Sequence, residues 1–327
     1  MQLQQVSKPL RTTHFERAIF LSWYCSVGDC SFCYMSTQKN LIQDPKKARR
    51  RMESILAEAF LCKKMGWKIE FLSAGYGSFT MPELFEIVKS VHEIYGEKLW
   101  LNVGVLGEKI LENMKPYLEG ACGSVETLNP EVRKIACPSK PLKDIEYMFR
   151  ACTKLGLKKA MTIIIGLGET EKDIPVLLDF IKKHAIDKIT FYALNPTKGT
   201  IYTKGPETGY YLKWVKQTRE AFPDLEIVTG SWVERNDEIN RLLKAGADAF
   251  TKFPSIKLFN SPYAQRIENE ISQAGFRLEG SLTRRDPIDI SEIDQFSFSK
   301  ELKESIKKKL LLYLKQLEKS NVRWASA

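Results

Sequence analysis

The sequence predicts an α/β chain folded as a closed (β/α)8 barrel of the TIM type with a C-terminal helical extension. Three observations predict it. Eight short apolar runs of strand length recur along the chain, segments of helical period lie between them, and no Gly/Ser-rich linker divides the 327 residues. Nearly continuous apolar runs suit parallel strands covered on both faces. Alternating β and α elements imply a parallel sheet with right-handed crossovers. Eight such repeats are the number that closes a barrel, whose chemistry sits at the C-terminal strand ends.

The first four predicted strands are 18–24 (AIFLSWY), 69–74 (IEFLSA), 99–105 (LWLNVGV) and 122–127 (CGSVET). The others are 160–166 (AMTIIIG), 188–194 (KITFYAL), 226–231 (EIVTGS) and 248–253 (DAFTKF). Between them, 46–65 places Ala48, Met52, Ile55, Leu56 and Ala59 at helical spacing, and Gly66 follows as a C-terminal cap. Residues 142–155 repeat the pattern with Leu142, Ile145, Met148, Phe149, Cys152 and Leu155 before Gly156. Pro82 begins a further helix and Pro175 sits in the first turn of another, where a missing N–H is tolerated. Residues 1–17 read as an N-terminal extension and 18–290 as the barrel. Residues 291–327 read as a helical tail, whose amphipathic run SKELKESIKKKLLLYLKQLEKS should pack on the barrel.

Composition narrows the class. The chain is 43% hydrophobic and 28% charged, ordinary for a globular protein. No apolar stretch reaches membrane-span length and the N-terminus lacks an apolar secretory core, so a cytoplasmic location is expected. Seven cysteines, three of them in one loop, do not make a disulfide framework. The net charge of +10 describes either a Lys-rich solvated surface or one that attracts an acidic partner, such as a carrier protein or an electron donor. Nucleic acid is not expected: the basic runs at 46–51 and 307–309 lack interleaved aromatics, and no nucleic-acid-binding motif is present.

The chemistry concentrates in WYCSVGDCSFCYMS, residues 23–36, where Cys25, Cys30 and Cys33 follow the first predicted strand. Thiolates are soft ligands suited to iron–sulfur clusters and zinc. Four cysteines would close a 4Fe–4S cluster, whereas three leave one iron open to a substrate or cosubstrate. The residues alone also allow a zinc site completed by a distant ligand, or a redox pair at Cys30 and Cys33.

At this point the chain resembles the radical S-adenosylmethionine (AdoMet) superfamily, in the biotin synthase and hydrogenase-maturase branch. That family carries C-x3-C-x2-C after its first barrel strand. Here the spacing is C-x4-C-x2-C, with Phe32 at the aromatic position before the last cysteine. The resemblance implies a barrel of the radical AdoMet type, a 4Fe–4S cluster on the three cysteines and AdoMet on the open iron. Ser73, Ala74 and Gly75 stand where the family's Gly-rich segment receives the AdoMet amino group, though its usual acidic residue is absent. Glu126 and Thr127, in SVETLNPEV, stand where ribose or carboxylate is contacted. Lys134 or Arg133 is implied as a cation for the AdoMet carboxylate. Gly166 and Gly168, in MTIIIGLGET, and Tyr192, in FYALNP, stand where the family approaches adenine. Without the resemblance, Glu126 reads as a surface residue flanking a helix, and Tyr76 and Tyr192 read as core packing. None of His14, His92 and His184 ends a predicted strand, so no imidazole base or ligand is expected.

Biotin synthase holds a second, sulfur-donating cluster inside its barrel. The matching strand positions here fall near Leu72, Trp100 and Ala160, none of them cysteine. Of the remaining cysteines, Cys62 and Cys152 read as buried helix residues and Cys122 as the start of the fourth strand. Cys137 is the candidate extra ligand of a possible second cluster, or a sulfur shuttle. Two radical readings follow from the resemblance. The preferred one is a subunit of an archaeal-type two-component lipoyl synthase, inserting sulfur into an octanoyl group on an acylated carrier protein with a second radical AdoMet subunit. The other is the maturase of the iron-guanylylpyridinol cofactor of Hmd-type hydrogenase. Either implies reduced ferredoxin or flavodoxin as electron donor. The non-enzyme reading is an iron–sulfur protein of electron transfer or binding.

Overall fold

A computed structural model describes the backbone of residues 11–325 and the side chains of residues 11–319. Eight parallel strands close a barrel: β1 (Arg11–Phe20), β2 (Lys68–Ser73), β3 (Leu99–Asn102), β4 (Leu118–Glu126), β5 (Lys158–Ile165), β6 (Lys188–Ala193), β7 (Glu226–Gly230) and β8 (Ala249–Thr251). Each pairs with its neighbour in order, and β1 closes the ring by pairing with both β8 and β2. Helices cover the outside, and the apolar core lies between them and the strands. The predicted caps form: Gly66 and Gly156 end the helices Met52–Met65 and Leu142–Leu155 in the left-handed conformation. Pro82 lies in the first turn of Met81–Tyr95, where Thr80 and Glu83 make a reciprocal capping box. Pro175 lies in the first turn of Ile174–His184.

The first strand differs from its prediction. It starts at Arg11 and ends at Phe20, so residues 11–17, read as extension, belong to the barrel, while residues 1–10 lie outside the described residues. The apolar run 18–24 overlaps this strand only at residues 18–20. All but the buried Phe15 of residues 11–17 are polar, and the burial of these residues depends on partners distant in sequence. The Thr13 hydroxyl donates to the Asp248 carbonyl at 2.8 Å. Glu16 receives Lys188 Nζ from β6 at 2.7 Å, and His14 Nε2 lies 3.0 Å from the same carboxylate. Burial alone would raise the Glu16 carboxyl, but the Lys188 ammonium and His14 hold it down at about 2. Glu226 stands 3.4 Å from Lys188. His14, Glu16 and Glu226 bring possible ligand atoms within 4.8 Å of one another, but Lys188 already supplies the cation to this group.

A ninth strand, β9 (Phe276–Glu279), was not predicted. It pairs in parallel with Arg11–His14, outside the closed ring. FRLE is too short and too polar to carry a strand signal. The tail forms a 26-residue helix, Lys300–Ala325, which packs along Met52–Met65. Ile306, Leu310 and Leu317 are fully buried there, and the Tyr313 hydroxyl lies 3.1 Å from Ser54 Oγ. No helix among the described residues is long and apolar enough to cross a membrane.

Candidate active site

Beyond Phe20 the chain runs as an edge held by backbone bonds from Arg50 N to Leu21 O (2.8 Å) and from Trp23 N to Ala48 O (3.1 Å). It then turns into the cysteine loop, which is laid against the turn after β2. Ser26 N donates to Tyr76 O at 2.9 Å, and Ser78 Oγ bridges to Tyr24 O (2.9 Å) and Gly75 O (2.8 Å). A Cβ on Gly75 would lie 2.3 Å from Tyr24 O and 2.5 Å from Cys25 Cβ, so only glycine permits this approach. At the loop's far end, Cys33 N donates to Cys30 O at 3.0 Å and Cys33 caps the short helix Tyr34–Thr37. Ser31 N bonds Ala136 O at 3.0 Å, fastening the loop to the segment after β4.

The three cysteines line one cavity of about 300 Å³ at the C-terminal mouth of the barrel. Phe32, Ser73, Ala74, Gly75, Glu126 and Tyr192 line it too. The carbonyls of Ser73 and Gly75 already accept one bond each, from Leu21 N (2.7 Å) and Ser78 Oγ, which leaves each a second lone pair. Burial pushes the Cys30 thiol up to about 12. Burial also raises Cys33, opposed by backbone N–H groups of Met35 and Ser36.

Glu126 is buried, not on the surface. It ends β4 with φ at 65°, and a bond from Thr127 N to Val125 O (2.8 Å) closes a tight turn around it. Its carboxylate receives Lys140 Nζ at 2.9 Å and Thr162 Oγ1 at 3.3 Å. Lys140 is the cation that sequence reasoning missed. Burial alone would lower its pKa, but Glu126 raises it above the usual lysine range. Lys134, expected in this role, is exposed and pairs with Glu131 at 2.7 Å. Helical spacing gives the reason: on the helix Pro130–Ala136 a residue three positions from Glu131 shares its solvent face. Arg133 donates to the carbonyls of Val125, Thr127 and Lys140, so it shapes the loop and offers no free cation to the cavity.

Thr127, Gly166 and Gly168 do not line the cavity. The Thr127 hydroxyl accepts from Asn129 N at 3.3 Å. In the GLGET turn, Gly166 N and Leu167 N donate to the Glu169 carboxylate at 2.6 and 2.9 Å, so that run folds on itself. Cys137 is buried with Cys30, Ala136 and Leu167 in a small apolar cluster and does not line the cavity. Cys122 lies in mid-strand rather than at the start of the fourth strand, and packs with Phe71, Trp100, Ala160 and Tyr192. Two of the interior positions that would hold a second cluster, Trp100 and Ala160, thus pack in an apolar cluster whose one cysteine is Cys122.

The donor set fits an iron–sulfur cluster better than a single ion. One zinc ion with thiolates at about 2.3 Å would draw the sulfurs together. Among the described residues, the cysteines are not among groups whose ligand atoms lie within 4.8 Å of one another. Three thiols facing one cavity, with a loop approach that only Gly75 allows, provide three ligands and leave the fourth position open to the cavity.

Comparison with known proteins agrees. Residues 24–181 match the Radical SAM superfamily. A protein of Methanocaldococcus jannaschii described as uncharacterized is 46% identical over 276 residues, covering 83% of this chain and 76% of its own length. A biotin synthase of Methanococcus maripaludis is 28% identical over 188 residues, 56% of either chain. The crystal structure of methylornithine synthase shares the fold, with a TM-score of 0.62 and 20% identity over 73% of this chain and 72% of that one.

Proposed function

Because the chain belongs to the Radical SAM superfamily, we propose that it is a radical AdoMet enzyme in which Cys25, Cys30 and Cys33 hold a 4Fe–4S cluster. The observation that carries this reading is the convergence of three cysteines, and no fourth, on the cavity that also holds the polar strand-end residues. When bound, the cluster supplies one electron that cleaves the AdoMet sulfonium, giving a 5′-deoxyadenosyl radical that takes a hydrogen atom from substrate. The chain's own residues bind and shield. Carbonyls of the Ser73–Gly75 turn accept the amino group. Lys140 offers its ammonium to the carboxylate, and Glu126 accepts ribose hydroxyls. Phe32, Ile164 and Leu194 exclude water from the reacting space.

The finer reading is sulfur insertion into an octanoyl group on a carrier protein, as a lipoyl synthase component. It requires a partner subunit to supply the sulfur, since Cys62 and Cys152 sit in helix cores and Cys122 and Cys137 are sealed from the cavity. The lengthened cysteine gap favours the guanylylpyridinol maturase as the second reading. The electron donor in either case is an acidic one-electron carrier such as ferredoxin or flavodoxin, drawn to the exposed Lys46, Lys47 and Arg51 beside the cysteine loop.

Anaerobically reconstituted protein should release 5′-deoxyadenosine from AdoMet with dithionite, measured by mass spectrometry. Cys30→Ala should fold and release none. A variant with normal release overturns the assignment, and a wild-type chain that holds its cluster but never cleaves AdoMet moves it to electron transfer. Octanoylated carrier protein plus the candidate partner then tests the finer reading by the appearance of thiolated product.

A further inference from the structure

The floor of the cavity carries a polar arrangement that has no part in holding AdoMet beyond the adenine contact implied for Tyr192. Tyr192, near the end of β6, reaches across the barrel to β2, where its hydroxyl donates to the buried Glu70 carboxylate. β2 and β6 stand opposite each other in the closed ring of eight. Thr251, the last residue of β8, donates to the other Glu70 oxygen at 2.6 Å. The next residue is Lys252, held at φ 72°. That left-handed conformation costs a residue with a Cβ about 1–2 kcal/mol. It lays Lys252 Nζ 4.4 Å from the centre of the Tyr192 ring and 5.6 Å from that of Phe20, facing the cavity. A Cβ on Gly230, at the end of β7, would lie 2.3 Å from Tyr192 Cδ1 and 3.0 Å from Lys252 Cγ. Strands β2, β6, β7 and β8 therefore all contribute to placing one ammonium group.

That ammonium has no carboxylate within 4.0 Å among the described residues, although it lies near enough to the buried Glu70 to oppose the rise that burial gives that carboxyl, whereas Lys140 in the same cavity is ion-paired with Glu126 and is taken up by AdoMet. A lysine on aromatic faces surrenders part of its water, which suits it to receive an anion from a ligand. The walls around it are apolar: Phe20, Phe71, Ala193 and Trp232 line the cavity there.

We propose that Lys252 is the anchor of the substrate subsite, and that the substrate is a free carboxylic acid with an apolar body, its carboxylate on Lys252 and its reacting carbon toward the cysteine rim. The inference rests on the radical AdoMet reading and narrows its substrate class. An octanoyl group in amide linkage brings no charge to Lys252, so a free-acid substrate keeps the radical AdoMet chemistry and departs from the carrier-bound octanoyl substrate of the finer reading.

The test compares octanoate with its neutral isostere octanamide by anaerobic calorimetric titration of the full-length reconstituted protein. Octanoate should bind at least tenfold more tightly. Lys252→Gly, which removes the charge and suits the left-handed backbone, should bring the ratio close to one, and Lys252→Arg should keep it. Equal binding of the two probes by the wild type, or a preference that survives Lys252→Gly, overturns the proposal. Release of 5′-deoxyadenosine by the wild type, measured alongside, reads the radical assignment separately. Selective binding without release would sink that assignment and leave the anion subsite standing, and release without selectivity would do the reverse.

Discussion

Replacing Gly75 with alanine should strip the cluster from a barrel that still folds. The added Cβ would stand 2.3 Å from Tyr24 O, 2.5 Å from Cys25 Cβ and 2.8 Å from Cys25 Cα. Ordinary contact begins near 3.4 Å, so the two segments must part by about 1 Å. The neighbours are main chain and the first side-chain atom, which have no rotamer to yield. The bridge from Ser78 Oγ to Tyr24 O and Gly75 O would stretch with them. Overpacking of this kind costs about 1–3 kcal/mol and a weakened hydrogen bond about 1 kcal/mol more. Such a sum lowers Tm without unfolding the barrel. Ligand distances, in contrast, tolerate only about 0.2 Å. A 1 Å displacement of one thiolate in three is therefore decisive for the cluster and minor for the fold. The assay is iron and sulfide per chain after anaerobic reconstitution, with visible charge-transfer absorption, beside circular dichroism and Tm. Gly209→Ala is the control: it lies exposed in the first turn of the helix Thr208–Ala221 with no atom within 4 Å of its Cβ position. It should gain up to about 1 kcal/mol and keep its iron. A Gly75→Ala protein that loads wild-type iron and cleaves AdoMet refutes the packing argument.

Lys140→Met should destabilise the chain by about 3–5 kcal/mol, because it leaves the Glu126 carboxylate buried without its cation. Adding Glu126→Gln should recover part of the loss, and calorimetry that shows an unchanged Tm in Lys140→Met would deny that the Glu126 carboxylate depends on its cation. The Glu16 carboxyl is held at about 2 against an ordinary 4.5, so the folded chain binds fewer protons there than the unfolded one. Its contribution, roughly 3 kcal/mol, is complete above pH 4.5 and fades as pH falls toward 2. Urea midpoints followed through that window should fall steeply for the wild type and less so for Glu16→Gln; equal slopes would remove Glu16 as the cause.

The barrel was legible because its signals are local. Apolar strands such as AMTIIIG, and helices closed by Gly66 and Gly156, announce themselves within a dozen residues. The cysteine loop was legible for the same reason. What the sequence hid depends on partners far along the chain. Residues 11–17 became strand because Lys188 and Asp248 meet their polar side chains, which no local periodicity encodes. Lys140 lies between Ser139 and Pro141 in a loop without pattern, and it becomes a cavity residue only because Arg133 gathers the surrounding carbonyls. A clue to Lys252 did exist. It is the next-to-last residue of the eighth predicted strand, 248–253, at the barrel end where function concentrates, and a strand-end reading would have found it.

Backbone strain locates the site independently of any motif. Four non-glycine residues among those described have positive φ: Glu126, Ala185, Lys252 and Asn260. Two of them, Glu126 and Lys252, stand at or just past the C-terminal ends of β4 and β8 and line the cavity of the three cysteines. Glycine at either position would relieve about 1 kcal/mol or more, yet the chain carries a charged side chain at both. The two charges play different parts. Glu126 is matched by Lys140 within the protein, so its strain fixes a neutral pair beside the cysteine rim. Lys252 has no carboxylate at ion-pair distance among the described residues, only Glu70 farther off beneath Tyr192, so its strain holds a positive charge at the cavity face ready for a ligand. A cavity built this way has one end neutral and one end cationic, and a substrate with a single negative terminus can enter it in only one orientation.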